Sequence, residues 1–148
     1  MKKYISLFLA LMMWVMVMPV GASYEEVYRE TEVIHTEDGD IEIETVLTIH
    51  DSPLRASSKT ASKSQNVKYD GSTIAKVTLT ATFRYDGSSV SVTDTDSSYT
   101  TYDGWSYKGE KISTSGGTAS LSASLTKTLT GTIPVSISMT CTADGTIT

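Results

Sequence analysis

Cysteine and histidine are scarce in this chain, as are tryptophan and phenylalanine, and the first two shortages each remove a class of protein. Cys141 is the only cysteine. No internal disulfide can form, so stability must come from a packed core rather than from staples. Its phase with Val135, Ile137 and Met139 predicts a buried, small apolar side chain. Both histidines, His35 and His50, precede residue 51. The chain beyond them therefore has no Ser-His-Asp arrangement of its own, which counts against a hydrolase. No His/Cys cluster suits a soft or borderline metal, and there is neither a phosphate loop nor a dinucleotide fingerprint. No cofactor is expected.

Basic residues are almost missing from one part of the chain. Between Tyr24 and Asp51 ten acids stand against Arg29 alone, whereas from Ser52 onward nine Lys or Arg outnumber seven acids. With an overall net charge of −5, the protein lacks the dense basic face that nucleic acid requires.

Long apolar runs are confined to the N-terminus. Lys2 and Lys3 precede the uncharged stretch Ile5–Met18, Pro19 ends it, and Val20-Gly21-Ala22 supplies small residues for cleavage. This is the pattern of a secretory signal peptide over residues 1–22, with an apolar core too short for a membrane span, so a retained anchor helix is the weaker reading. No cysteine near the cleavage point supports a lipid anchor, and no later stretch is apolar enough to span a bilayer. The expected product is secreted, extracellular or associated with the cell surface, with no transmembrane segment after cleavage.

What remains is rich in Ser and Thr and poor in helix formers, a composition that suits pleated sheet. Val77, Leu79, Ala81, Phe83 and Tyr85 alternate with polar residues up to Asp86-Gly87, and Val90 and Val92 alternate after it. Alternation on both sides of Asp-Gly predicts a hairpin. A two-residue turn there sets Phe83 opposite Val90 and Ala81 opposite Val92. A second hairpin is expected around Asp38-Gly39, with Ile34 opposite Ile43 and His35 opposite Glu42, the latter an exposed cross-strand pair rather than a dyad. Asp51-Ser52-Pro53 ends its second strand.

Leu54–Ser64 reads as a linker or as an edge strand guarded by lysines, with Arg55 an accessible cleavage point if the acidic part is a pro-segment. Turns follow at Asp70-Gly71, Asp103-Gly104, Gly116-Gly117 and Asp144-Gly145, and Gly116-Gly117 sets Ile112 opposite Leu121. A two-residue turn at Asp70-Gly71 throws Ile74 onto the opposite face from Val77, which demands a bulge near Ala75 or Lys76 or a longer turn.

Candidate sites are few. Asp94-Thr95-Asp96-Ser97-Ser98 has the alternating oxygens of a Ca²⁺ loop, but Tyr99 and Trp105 stand where an EF-hand needs Gly and Glu. The run reads better as a strand leaving the sheet, with Asp94 facing Leu79. The one unusual cluster is Tyr99, Tyr102, Trp105 and Tyr107 around Asp103-Gly104. Such aromatics stack on sugar rings or anchor protein partners. Trp105 is at least as well explained as a core anchor, because after residue 22 it is the only Trp and Phe83 the only Phe.

Several stretches resemble an uncharacterised family of short secreted proteins from Clostridia-type Gram-positive bacteria, a domain of unknown function. They are Ala56-Ser-Ser-Lys-Thr-Ala-Ser-Lys63, Ala81-Thr-Phe-Arg-Tyr-Asp-Gly-Ser88, Gly104-Trp-Ser-Tyr107 and Thr140-Cys-Thr-Ala-Asp-Gly145. The resemblance implies export and a β fold; it assigns no activity and no catalytic residue. Together these observations predict an all-β protein. An antiparallel, Ig-like β-sandwich over residues 57–148 is preceded by an acidic segment, 23–56, that carries a β-hairpin and linker. The expected role is a non-enzymatic module that binds an extracellular protein or glycan. The alternative is a small antagonistic, membrane-active (bacteriocin-like) β protein.

Overall fold

The computed structural model describes residues 25–50 and 57–148. The signal peptide, the Asp51–Pro53 strand end and the cleavage point at Arg55 lie outside them. Among the described residues eight strands form, all antiparallel: β1 (Glu25–Thr36), β2 (Gly39–His50), β3 (Ser58–Tyr69), β4 (Ser72–Tyr85), β5 (Val90–Thr101), β6 (Ser106–Ser115), β7 (Thr118–Lys127) and β8 (Gly131–Thr140). They make a five-stranded sheet ordered β1 to β5 and a three-stranded sheet ordered β6 to β8. Strands follow chain order in both sheets, so the Greek-key exchange of Ig topology has no counterpart among them. Two packed antiparallel sheets are what that expectation retains. No described helix is long and apolar enough to cross a membrane.

Alternation places the core. On β4, Val77, Leu79, Ala81 and Phe83 turn inward and are at most 1% exposed. They meet Leu121 and Leu125 of β7 and Val135, Ile137 and Met139 of β8 in one continuous cluster. β7 lies across β4 and β5, and β8 across β3. The outward positions of β3 and β4 pair hydroxyl to hydroxyl: Thr60 with Thr82 at 2.9 Å, Ser62 with Thr80 at 2.9 Å and Ser64 with Thr78 at 2.8 Å. Such pairs satisfy polar groups on a sheet without adding charge.

The segment containing Lys59 and Lys63 is neither linker nor edge. It is β3, the middle strand of five. Its inward positions include Lys59, Lys63 and Gln65, which reach the other sheet. Lys63 Nζ donates to the Ser138 carbonyl at 2.9 Å, Gln65 to that of Ser136 at 3.0 Å, and Lys59 to that of Gly145 at 3.0 Å. The first two bonds occupy backbone acceptors on β8, an edge strand, and so help protect it from pairing with another chain, while the third reaches the turn beyond its end. Burial pushes the Lys63 ammonium pKa down. Pro134 also sits on β8, where a missing N–H is tolerated. The acidic hairpin is continuous with this frame: β2 pairs with β3 from Ile41↔Tyr69 to His50↔Thr60, and Leu47 is buried.

Two registers differ from the two-residue turns expected at Asp-Gly. Around Asp86-Gly87 the ladder closes at Tyr85↔Val90, with Phe83 opposite Val92. The loop is lengthened because the Asp86 carboxylate accepts the N–H groups of Ser88 at 2.9 Å and Ser89 at 2.7 Å. These bonds, with those from both serine hydroxyls, hold the carboxyl well below the usual carboxylate range. At the N-terminal hairpin Ile34 faces Ile41 and His35 faces Asp40, with Nδ1 to carboxylate at 2.7 Å. Both slips are of two residues. That is the smallest shift that leaves every side chain on its own face.

At Asp70-Gly71 the two-residue turn does form, Tyr69 opposite Ser72, with both turn residues at positive φ. The required irregularity is present one residue earlier than placed. Ile74 is the extra residue between Val67↔Ala75 and Lys68↔Thr73, and it is buried. The Ile112↔Leu121 pairing forms as expected.

Candidate functional site

The aromatic cluster divides into a core residue and a surface set. Trp105 follows the turn at Asp103-Gly104, where φ is +55° and +78°. It is 5% exposed and packs on Tyr69 with ring centroids 5.8 Å apart. It therefore anchors the core and has no free face for a ligand. Tyr102 lies across the same turn. Its N–H donates to the Ile74 carbonyl at 2.9 Å and its carbonyl accepts the Trp105 N–H at 3.0 Å, while its side chain stays 47% exposed.

Tyr99 and Tyr107 close the open side of the sandwich between β5 and β6. Their rings stack at 4.1 Å with 22° between planes, and Tyr99 remains 55% exposed. Tyr107 donates its hydroxyl to Glu110 at 2.7 Å, and Ser97 donates to the other Glu110 oxygen at 2.9 Å. Burial, then the Glu110 carboxylate, pushes the Tyr107 phenol well above its ordinary value. Glu110 reaches both because Gly109 and Glu110 together stand opposite Ala123 in a bulge, with Gly109 at φ +68°. The sequence pattern offers Ser97 only as part of the Asp94–Ser98 run and does not single out Glu110, although a signal for their meeting exists. Tyr107 and Ile112 both point inward yet are five residues apart, an odd spacing that only a bulge reconciles.

The Asp94–Ser98 run forms no loop. It lies inside β5, which continues to Thr101, and Asp94 pairs with Thr82 while Leu79 faces Ser97. Thr93, an extra residue, reverses the phase after Val92. Asp94, Asp96 and Ser98 thus share the outer face while Thr95 and Ser97 turn inward. Among the described residues no three His, Cys, Asp or Glu side chains gather as a metal would need.

Cys141 is 1% exposed, and burial raises its thiol pKa above the ordinary range, with Lys59 opposing the shift. The native protein should therefore be inert to a thiol reagent such as Ellman's reagent at neutral pH, reacting only in denaturant. Fast native labelling would contradict this burial.

No family model, curated protein or solved structure matches the chain.

Proposed function

We propose that the protein is a secreted, non-enzymatic binding module, acting at or outside the cell surface on a protein or glycan. The observation that carries this reading is the pair of exposed tyrosines, Tyr99 and Tyr102. Neither hydroxyl has a hydrogen-bond partner among the described residues, and the two rings are among the few large hydrophobics left open to solvent. An aromatic face with a free polar tip suits a partner that is apolar on one side and wet on the other. The relation to uncharacterised secreted Clostridia-type proteins belongs to the same proposal.

The membrane-active alternative has less support. An inserted barrel needs an apolar outward band, whereas the buried apolar side chains here gather in a single inner cluster.

Single alanine substitutions test the reading. Tyr102→Ala should leave Tm within about 2 °C of the parent, since isolated surface changes cost little. Tyr99→Ala removes an aromatic pair and should cost about 1 kcal/mol. Both should weaken binding to immobilised cell-wall glycans or to a purified surface protein. Unchanged binding by the two variants would remove the tyrosines from the site, and a large loss of stability in Tyr102→Ala would assign it to the core.

A further inference from the structure

Only the chain itself links the two sheets covalently, because the one cysteine, Cys141, is buried and free. Where β5 meets β6, a side-chain cluster joins them instead. Tyr99 of β5 stacks on Tyr107 of β6, and Glu110 accepts hydrogen bonds from Tyr107 and from Ser97 of β5. Among the described residues no other two tyrosines stack. Tyr102 is also open to solvent but has no ring beside it among those residues. Tyr69 packs on Trp105, and Tyr85 lies against Lys59 and Gly145.

The pair is arranged for a reaction as well as a contact. Its centroids are 4.1 Å apart with 22° between planes, so carbons ortho to the two hydroxyls lie near one another however the rings are turned. Both residues sit in ladders, Tyr99 opposite Val77 and Tyr107 opposite Leu125. Holding two reacting groups in contact favours their own reaction over one with a second molecule. Tyr99 is 55% exposed, so an oxidant reaches it from solvent. A phenol that loses an electron becomes a strong acid, and a base beside its hydroxyl takes the proton. Tyr107 already donates that hydroxyl to one Glu110 oxygen at 2.7 Å, while Ser97 holds the other at 2.9 Å.

We propose that Tyr99 and Tyr107 are a site of oxidative coupling, converted by peroxidase-type one-electron oxidants into a dityrosine bridge between the sheets. Each ring gives up one electron and its phenolic proton, Tyr107 to Glu110 and Tyr99 to water. The two radicals join through a new bond between ortho carbons. The two displaced ring hydrogens then return to the phenol oxygens, so the protein loses two hydrogens in all. One hydrogen peroxide takes up the two electrons and two protons and leaves as two waters. Such a bridge acts on the unfolded chain as a disulfide does, in a protein that has none. From the proposed function the inference takes only the extracellular setting where such oxidants are met.

The test treats the full mature chain with horseradish peroxidase and one equivalent of hydrogen peroxide. A monomer lighter by two hydrogens should form, with the blue fluorescence of dityrosine. Cleavage before Asp96, Asp103 and Asp144 should then leave peptide 96–102 joined to peptide 103–143. The bridged protein should melt higher by about 5 °C. Tyr99→Phe keeps the ring but not the phenol; it should abolish the bridge while the untreated variant melts within about 2 °C of the parent. Tyr102→Phe should leave the yield unchanged. Glu110→Gln retains a hydrogen-bond acceptor without the base and should slow bridging severalfold; an equal rate would overturn Glu110 as the proton acceptor. Cross-linked dimers as the main product, added oxygen without a bridge, or a bridge lost with Tyr102→Phe and kept with Tyr99→Phe would each overturn the site. A bridge that leaves Tm unchanged would overturn its role as a staple. All of these outcomes are separate from the binding reading, which stands or falls on binding by the alanine variants.

Discussion

Phe83→Ala should destabilise the fold by about 3–5 kcal/mol, the range for removing a fully buried phenyl ring. Phe83 is 0% exposed, stands opposite Val92 on β5 and Lys59 on β3, and belongs to the cluster that joins both sheets. It is also the only Phe after residue 22, so no second phenyl ring shares its place. Domains of this size are stable by about 5–15 kcal/mol, which makes the loss about a fifth of the total or more. Urea unfolding followed by Trp105 fluorescence would show it as a midpoint lowered by about 2 M, given slopes near 1.5–2 kcal/mol/M. A loss under about 1 kcal/mol would mean that the site collapses around the missing ring and that the core is held elsewhere.

The strands themselves were legible because their signal is local. Period-two alternation in β4, β7 and β8 identifies the buried set, and Gly116-Gly117 fixes the Ile112↔Leu121 register without any knowledge of the second sheet. Registers at Asp86 and Asp38 were less legible, since a slip of two preserves the hydrophobic pattern and only the capping bonds of the loop choose between the alternatives. Asp86 chooses through its carboxylate, which needs the backbone of Ser88 and Ser89 to fold back on it.

The part played by β3 was hidden for a different reason. Lys63 and Gln65 read as solvent-facing, yet they point between the sheets and end on carbonyls of β8 more than seventy residues away. No local pattern announces a non-local partner. The same holds for the aromatic cluster. The sequence placed the four residues in one neighbourhood, but the separation of buried Trp105 from open Tyr102 depends on Tyr69, which a different turn delivers. Leu129, fully exposed at φ +67°, has no sequence signal either, because an isolated leucine beside threonines is ordinary. Its exposure and its left-handed backbone exist only in three dimensions.

Gly117→Ala should cost about 3 kcal/mol, the upper end of the range for overpacking a well-filled site. A methyl group at Gly117 would sit 2.2 Å from the carbonyl oxygen of Cys141 and 2.7 Å from Val90. The first of these is backbone, so no rotamer change relieves it. That backbone is in turn fixed, because the Cys141 N–H donates to the Gly117 carbonyl at 2.8 Å and Cys141 pairs with Ile147. Relief would have to come from moving the C-terminal segment off the β6–β7 turn, breaking that bond and exposing Cys141. Gly116→Ala provides the contrast. Its φ is +55° but nothing lies within 4 Å of the added carbon, so only the backbone preference is lost, about 1 kcal/mol. Thermal melts of the two variants should therefore separate by several degrees, with Gly117→Ala the lower. The same variant should label faster at Cys141 with a thiol reagent under native conditions. Equal melting temperatures would show that the C-terminal segment yields at little cost, and that Cys141 is covered by contacts other than this turn.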